Sequence, residues 1–320
     1  MRLFVHSLFL LFFLLSSACG GSGNEAPNEP DSAGRAVTLR VLSVGNSFSV
    51  DALSYLPYVV RSVAPQVHIT GGLLNQGGCT LERHWQMIQD GSKYQYYYKA
   101  VDDGHWRHPR GDSYNATLSE VLGEEPWDVI ILQQGSAECR DWAHYQPALD
   151  NLTTWIGERL DHDATIAWML IPAFAEGFTR LNGSTSDEMF ADIALCSQKV
   201  MASGKVQLLL PVGTAIQNAR HTSLARYGVF GGLTYDGMHM NDGIGCLIES
   251  YTVAQALFNN GVIAANINND FSVITQDWLG ARWVQQQNGS PVGITEENRA
   301  IAKQCVVAAL RNPFLISTIE

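Results

Sequence analysis

Short apolar runs rich in β-branched residues alternate along this chain with longer segments of helical periodicity, and no other feature limits the possible folds so strongly. Continuous apolar runs indicate strands that are buried on both faces, and such strands occur in parallel sheets covered by helices. The pattern therefore predicts an α/β fold, a three-layer α/β/α sandwich around a central parallel sheet. The predicted strands are 38–44, 67–74, 129–133, 165–171 and 206–210. The predicted helices are 52–63, 81–89, 145–160, 187–202, 243–259 and 295–311.

The N-terminal segment differs in character from the rest of the chain. After Arg2, the apolar run 3–15 has the length of a signal-peptide core but is shorter than the roughly 20 residues that span a bilayer. The residues that follow are rich in Gly, Ser, Asn, Pro and Glu, a composition typical of a flexible tether. We therefore expect a signal peptide over 1–18, a flexible linker over 19–34 and one folded domain over 35–320.

The residues Ser16-Ser17-Ala18-Cys19 resemble the end of a bacterial lipoprotein signal, in which Cys19 would become the lipid-bearing N-terminus. Such signals usually carry Leu three places before the cysteine, whereas Leu15 lies four places before it. Ordinary cleavage after Ala18 is the alternative, since that site also satisfies the small-x-small rule. The sequence thus predicts an exported protein that is either anchored to a membrane through Cys19, in the periplasm or at the cell surface, or secreted.

Charge and cysteine content exclude several other classes of protein. The formal net charge is −11 and no Lys/Arg-rich run occurs, so nucleic acid is not an expected partner. The cysteines after Cys19 are odd in number and lack metal-type spacing, so we expect mostly buried thiols with at most one or two disulfide bridges. We predict neither a metal site nor a cofactor. These cysteines are Cys79, Cys139, Cys196, Cys246 and Cys305.

Polar, glycine-bearing segments follow the first three predicted strands, at 45–49, 75–80 and 133–136. In open α/β sheets the ligand site lies outside the carboxyl ends of the strands. We therefore expect these three segments to border one crevice.

Ser47 in the first of these segments, together with Asp236 and His239 far downstream, supplies the three groups of a serine hydrolase. A hydroxyl becomes a good nucleophile when a histidine takes its proton, and an acid orients that histidine and stabilises its charged form. Taken alone, a serine after a strand is more often a turn or helix-capping residue, and Asp-x-x-His is a weak signal. Their order around the predicted sheet indicates a catalytic triad.

These segments resemble the blocks of the SGNH hydrolase superfamily, esterases with a Gly-Asp-Ser motif after the first strand. The matching stretches are Gly45-Asn46-Ser47-Phe48-Ser49, Gly77-Gly78-Cys79 and Asp236-Gly237-Met238-His239. The resemblance covers about 39–258, with Asn46 in place of the usual Asp. It implies a flavodoxin-like sheet, a catalytic triad of Ser47, Asp236 and His239, and an oxyanion hole that includes the backbone N–H groups of Ser47 and Gly78. The same combination resembles an uncharacterised bacterial branch of exported proteins.

The third family block departs from the usual pattern. The expected Gly-x-Asn-Asp is replaced by Gly135-Ser136-Ala137-Glu138, so no asparagine amide is available for the oxyanion hole. Here the chain resembles carbohydrate-acetylesterase branches in which Gln-Gly precedes an acidic residue. That resemblance implies that Gln134, or else Gln133, supplies the missing donor.

Two other residues near Ser47 and Gly78 carry groups that attack acyl carbon. Ser49 lies two residues after Ser47, at a place where a hydroxyl more usefully caps a helix N–H. Cys79 would be reactive as a thiolate, but a lone cysteine in a glycine turn is more often a small buried hydrophobe. Ser47 therefore remains the predicted nucleophile.

Aromatic residues are concentrated in the connection 94–106, which contains Tyr94, Tyr96, Tyr97, Tyr98, His105 and Trp106. Their rings offer a stacking surface for the C–H faces of a sugar. The alternation over 94–99 also fits a strand of a hairpin packed on the edge of the domain. Both interpretations remain open from the sequence.

The resulting prediction is a serine esterase that hydrolyses carboxylic esters through an acyl-enzyme and needs no cofactor. A carbohydrate O-acetyl esterase is the leading interpretation, with a lipase or thioesterase as the alternative within the enzyme class. A catalytically silent, glycan-binding lipoprotein of the same fold is the alternative outside it, because the third-block asparagine is missing. The expected partners are a small-molecule or glycan ester, and a membrane only through the lipid anchor.

Overall fold

The computed structural model describes residues 37–63, 67–99, 106, 108–111, 114–258, 286–287, 290–291 and 293–319. The chain divides into two compact units, Met1–Arg35 and Ala36–Glu320, and all the described residues belong to the second. The predicted signal peptide, linker and lipid-bearing Cys19 lie outside the described residues, as does His105.

Seven strands form a single sheet in the order β4-β3-β2-β1-β5-β6-β7. These strands are β1 (Val37–Gly45), β2 (Val67–Asn75), β3 (Tyr94–Lys99), β4 (Tyr114–Ala116), β5 (Val129–Leu132), β6 (Thr165–Met169) and β7 (Leu208–Leu210). A separate two-stranded pairing joins β8 (Gln286–Gln287) to β9 (Ser290–Pro291). The five strands that the sequence predicts, β1, β2, β5, β6 and β7, are parallel and adjacent, in the flavodoxin-like order.

Helices cover both faces of the sheet, so the predicted three-layer α/β/α sandwich is confirmed. The helices before residue 180 are α1 (Ser47–Leu53), α2 (Leu56–Val63), α3 (Leu81–Asp90), α4 (Leu118–Leu122), α5 (Ala148–Gly157) and α6 (Glu176–Thr179). Those that follow are α7 (Ser186–Ala202), α8 (Val212–Arg220), α9 (Ile244–Phe258) and α10 (Glu296–Arg311). One apolar cluster packs beneath α1, α2, α8, α9 and α10, and another beneath α3, α4 and α5.

The sheet is mixed rather than purely parallel, because β3 and β4 add an antiparallel edge to β2. In β3 the side chains alternate, so that Tyr94 and Tyr96 enter one apolar cluster and Tyr97 enters the other. Trp106 packs its ring on Gly71 of β2, where a Cβ atom would lie only 2.6 Å from it. The hairpin interpretation of this aromatic segment is therefore confirmed.

The first predicted helix is the clearest departure from the sequence interpretation. The pattern places its start at residue 52, whereas the structure has two helices, α1 and α2, and α1 begins directly at Ser47. Asn46 caps α1 by accepting a hydrogen bond from the Phe48 N–H at 3.0 Å. The capping residue is therefore Asn46, whereas the sequence had suggested Ser47 or Ser49 for this role. The described part of the chain also contains α8, which no predicted helix covered.

Two further findings concern the oxidation state of the cysteines and the hydropathy of the helices. Cys79, Cys139, Cys196, Cys246 and Cys305 are all buried, free thiols. Among the described residues, no helix is both long and apolar enough to cross a bilayer.

Candidate active site

The carboxyl end of β1 presents Ser47 as the first residue of α1, on a short connection of one residue. The Asn46 side chain holds this connection from two sides. Its Oδ1 accepts from the Phe48 N–H, and its Nδ2 donates to the Cys79 carbonyl oxygen at 3.0 Å. Ser47 itself stays half-buried, with its hydroxyl at the edge of the sheet where the polar segments meet.

The Asp236–His239 loop lies against this serine, although the two are 192 residues apart in sequence. The Ser47 Oγ and His239 Nε2 atoms are 2.7 Å apart, and His239 Nδ1 lies 2.6 Å from Asp236 Oδ2. A carboxylate can only accept a hydrogen bond, so Nδ1 donates and Nε2 is left to accept from the serine hydroxyl. The structure thus brings together the three predicted triad residues.

The Asp236 carboxylate is held in its charged form by the loop that it closes. Burial alone would raise its pKa, but hydrogen bonds from the backbone and side chain of His239 and from the Met238 N–H outweigh it. The pKa of Asp236 therefore lies below its usual value. Its second oxygen, Oδ1, accepts from the Met238 and His239 N–H groups, both at 2.8 Å, so the carboxylate orients the loop as well as the imidazole.

The glycine turn after β2 brings Gly78 to the same edge. The Gln76 N–H donates to the Gly45 carbonyl at 3.1 Å, which ties the turn to the end of β1. Gly78 has φ near +63°, in the left-handed region that favours glycine. Within the described part of the chain, no acceptor takes the Gly78 N–H.

The hydrogen bonds of the Gln134 side chain among the described residues are to backbone groups of neighbouring loops. Its Oε1 accepts from the N–H groups of Leu81 and Gly135, both at 2.9 Å, and its Nε2 donates to the His144 carbonyl at 3.0 Å. The side chain is 1% exposed and joins three backbone segments. Gln134 therefore braces neighbouring loops through both the oxygen and the nitrogen of its amide.

Gln133, the alternative donor, is engaged in a buried network under the nucleophile. Its Nε2 donates to Asn46 Oδ1 at 2.6 Å, and its Oε1 accepts from Ser49 Oγ at 2.6 Å. Ser49 in turn accepts from Ser43 Oγ at 2.9 Å. The network points the Ser49 hydroxyl inward, away from the crevice, and its members fix the position of Asn46.

Cys79 is unsuited to attack on an acyl group. The thiol is 2% exposed, and burial raises its pKa to about 12 with only a small opposing effect from Arg83. A thiol with such a pKa remains protonated near neutral pH and is a poor nucleophile. Cys79 therefore behaves as a small buried side chain.

Asp51 is a residue of this site that the sequence analysis missed. It lies on α1, one helical turn after Ser47, and its Oδ2 accepts from the Met240 N–H at 3.0 Å. The bond joins the nucleophile helix directly to the residue after His239. The signal in the sequence was an acidic residue four places after Ser47 and followed by apolar residues, because a carboxylate that is buried needs a partner.

Asp51 faces a second buried carboxyl, Glu249 on α9. Burial is the main cause that raises the pKa of Glu249 well above its usual value, and the charge of Asp51 adds to it. The charge of the half-buried Arg220 guanidinium opposes the shift, but its Nη1 donates to the Ala173 carbonyl at 2.8 Å. Both Glu249 oxygens are buried without a hydrogen-bond partner among the described residues, which favours the neutral acid.

The described rings of the aromatic segment 94–106 do not form an exposed sugar-stacking surface. Tyr94, Tyr96, Tyr97 and Trp106 are buried in the two apolar clusters, and the Tyr98 hydroxyl donates to Glu125. The proposed sugar platform at this position is therefore wrong, because the rings are used to cover the sheet edge. The described residues contain no group of three or more His, Cys, Asp or Glu arranged to hold a metal ion.

The sequence matches the model of a family described as "Domain of unknown function (DUF4886)" over residues 40–278. A comparison with curated proteins finds no match. Among solved structures, a DUF4886 family protein from Bacteroides uniformis is 26% identical, with a TM-score of 0.70 over 88% of this chain and 97% of that one. The fold of that protein and the present fold therefore agree over nearly their whole lengths.

Two further structures are less similar. A protein from Slackia heliotrinireducens, provisionally assigned to the SGNH hydrolases, is 16% identical, with a TM-score of 0.45 over 69% of this chain and 99% of that one. An acetylxylan esterase from Geobacillus stearothermophilus is 13% identical, with a TM-score of 0.41 over 72% of this chain and 96% of that one.

Proposed function

The chain belongs to the DUF4886 family, and from the geometry of its site we propose that it is a serine esterase. The observation that carries the proposal is the pair of contacts at His239, to Ser47 Oγ at 2.7 Å and to Asp236 Oδ2 at 2.6 Å. A nucleophile within reach of a base, and a base oriented by an acid, is the arrangement that acyl transfer requires.

The reaction proceeds in two halves. The Ser47 oxygen attacks the ester carbonyl carbon while His239 Nε2 takes the hydroxyl proton, and the imidazolium is stabilised by Asp236. The tetrahedral intermediate then collapses, the bond to the alcohol oxygen breaks, and His239 returns the proton to that oxygen. Water then attacks the acyl-enzyme through the same steps, with His239 as the base, which releases the carboxylic acid and restores Ser47.

The negative oxygen of the intermediate is bound by backbone N–H groups in this proposal. Ser47 is the first residue of α1, so its N–H belongs to the unpaired first turn of a helix. The Gly78 N–H on the neighbouring turn supplies the second donor. Two such donors are a sufficient basis for an oxyanion hole, and each typically contributes about 10²–10³ in turnover.

We propose a carbohydrate O-acetyl ester as the substrate. The support is the resemblance of residues 133–138 to carbohydrate-acetylesterase branches, since the buried aromatic residues of β3 no longer contribute to it. A lipase or thioesterase would instead prefer long acyl chains or thioesters. Rates with p-nitrophenyl acetate and p-nitrophenyl decanoate distinguish these cases, and we expect the acetate to be hydrolysed faster.

A catalytically silent, glycan-binding protein is the second candidate. The missing third-block asparagine favours it, since Gln134 holds backbone groups of neighbouring loops with both ends of its amide. Labelling with a fluorophosphonate, followed by peptide mapping, separates the two. We expect covalent modification of the intact protein at Ser47, its loss in Ser47→Ala, and no change in Ser119→Ala, a matched control on the exposed side of α4. Folded protein that remains unlabelled would favour the binding protein.

We further propose that the protein is exported and anchored through a lipid on Cys19. Radiolabelled palmitate fed to a bacterium that expresses the full chain should enter the wild-type protein and be absent from Cys19→Ser. Processing of the wild type without incorporated lipid would instead support ordinary cleavage after Ala18 and secretion.

A further inference from the structure

Aromatic side chains pack on the loop that carries the triad acid and base. This aromatic cluster consists of three phenylalanines whose rings contact one another in sequence, Phe174, Phe178 and Phe230, and of Tyr235, whose ring contacts His239. The Phe178 ring covers Gly237, where a Cβ atom would lie only 2.6 Å from it. The same ring meets those of Phe174 and Phe230 edge-on, with centroids 5.4 and 6.0 Å apart.

The cluster reaches the imidazole itself. The Tyr235 ring stacks on His239 with centroids 5.7 Å apart and an interplanar angle of 17°. Two backbone hydrogen bonds fix the cluster on the loop, one from the Ala175 N–H to the Gly237 carbonyl and one from the Gly177 N–H to the Phe230 carbonyl, both at 2.8 Å. The aromatic rings are therefore attached rigidly to the His239 side of the site.

Phe230 is placed in an unfavourable way for a large apolar residue. Its side chain is 46% exposed, and its φ of 57° lies in the left-handed region that bulky residues rarely adopt. Strained backbone that holds an apolar ring at the surface beside a reactive centre is a feature of ligand-binding positions. Folding alone does not account for a phenylalanine in this conformation.

The chemistry of the site indicates which part of an ester would meet these rings. His239 returns its proton to the oxygen of the departing alcohol, so the alcohol leaves on the histidine side of Ser47. The aromatic cluster is packed on that side, on Gly237 and His239. The acyl group, by contrast, stays on Ser47 until water releases it.

We propose that the aromatic cluster is the binding surface for the alcohol part of the ester, and that this part is a sugar ring. The inference rests on the proposed esterase function and names the side of the substrate that the enzyme recognises. A pyranose ring has apolar C–H faces and polar edges, so it can lie on the open Phe230 ring while its hydroxyl groups remain in water. A long acyl chain would instead need an enclosed apolar channel that removes it from water.

The test compares acetate esters of two different alcohols, xylose tetraacetate and ethyl acetate, with release of acetate as the readout and each variant compared with wild type on the same ester. We expect Phe230→Ala and Phe230→Leu to lower kcat/KM for xylose tetraacetate by about 3- to 10-fold, mainly through KM, and to leave ethyl acetate within about twofold. Tyr114→Ala, which removes an exposed aromatic ring on the edge strand β4, should leave both rates unchanged. An equal loss on both esters, or no loss on either, overturns the inference while the esterase function stands.

A binding measurement keeps the inference testable if the chain proves inactive. Titration of xylose tetraacetate into Ser47→Ala protein, followed by ligand NMR, should show binding that is weaker by the same factor in Ser47→Ala/Phe230→Ala. Suppose that wild-type protein hydrolyses neither ester and is not labelled by fluorophosphonate, while this difference in binding persists. That result refutes the esterase function and leaves the role of the aromatic cluster intact. Equal binding by the single and double variants, or binding by neither, refutes the role of the aromatic cluster.

Discussion

Replacement of Gln134 by methionine tests whether this amide braces the fold or takes part in catalysis. Methionine has a similar volume and no hydrogen-bonding amide, so Gln134→Met removes the acceptor of the Leu81 and Gly135 N–H groups and the donor to the His144 carbonyl. The perturbation changes polarity and leaves packing nearly unchanged.

The expected loss of stability follows from the backbone groups that Gln134→Met leaves without a hydrogen-bond partner. Leu81 and Gly135 are buried, so each of their N–H groups loses its partner without access to water, at about 1–3 kcal/mol apiece. His144 is exposed, and its carbonyl can turn to solvent at little cost. Gln134→Met should therefore lower the free energy of unfolding by about 2–6 kcal/mol, a large share of a typical total of about 5–15 kcal/mol.

Urea unfolding followed by tryptophan fluorescence measures the stability, and hydrolysis of p-nitrophenyl acetate below the unfolding transition measures kcat of the folded protein. We expect kcat to fall less than tenfold. Gln86→Met, an exposed control on α3, should change stability by no more than about 0.5 kcal/mol. If Gln134→Met kept its stability within about 1 kcal/mol while kcat fell by about 10²–10³, the amide would be an oxyanion donor and the brace interpretation would be wrong.

Substitutions at three carboxyl groups, Asp236, Asp51 and Glu249, test their proposed roles. Asp236→Asn should lower kcat by about 10⁴ because Nδ1 loses its acceptor, and a kcat within tenfold of wild type for p-nitrophenyl acetate would contradict the triad. Asp51→Ala leaves the Met240 N–H unpaired and should destabilise the fold by about 1–3 kcal/mol while lowering kcat; Asp51→Asn, which keeps an acceptor, should recover most of both. For Glu249, the folded pKa lies above the unfolded one, so its contribution to stability is fully present below about pH 4.5 and is lost as pH rises toward the folded value. Glu249→Gln should therefore gain thermal stability relative to wild type from about pH 4.5 upward, and parallel melting curves over pH 4–9 would refute this.

Sequence patterns were most informative where a residue's role depends on its neighbours in the chain. The five parallel strands were predictable because each is a short segment rich in apolar residues, and α3, α7 and α10 were predictable within one residue of their ends. The start of α1 was not, since its first turn contains Ser47, Phe48 and Ser49, whose helical state depends on the Asn46 cap and the buried hydrogen bonds beneath it. The edge hairpin remained undecided because aromatic residues suit both a packed strand and an exposed platform.

In the site, Ser47, Asp236, His239 and Gly78 could be named from short motifs, because the spacing within each motif is local. The roles of Gln133 and Gln134 could not, since an amide has both donors and acceptors and its partners come from distant segments. Asp51 shows the same limit: its partner, the Met240 N–H, lies 189 residues away.

The sequence by itself determined the layered α/β class, the strands of the parallel sheet and the identity of the reactive groups, because apolar periodicity and short motifs are properties of contiguous residues. Only the tertiary structure decided which polar side chains face the crevice and which brace the loops behind it. It alone placed Tyr235 on His239 and gathered Phe174 and Phe230 around Phe178, which covers Gly237. The physical reason is that hydrogen-bond partners and ring contacts are chosen by three-dimensional proximity, and the folded sheet brings together edges that the linear chain keeps far apart.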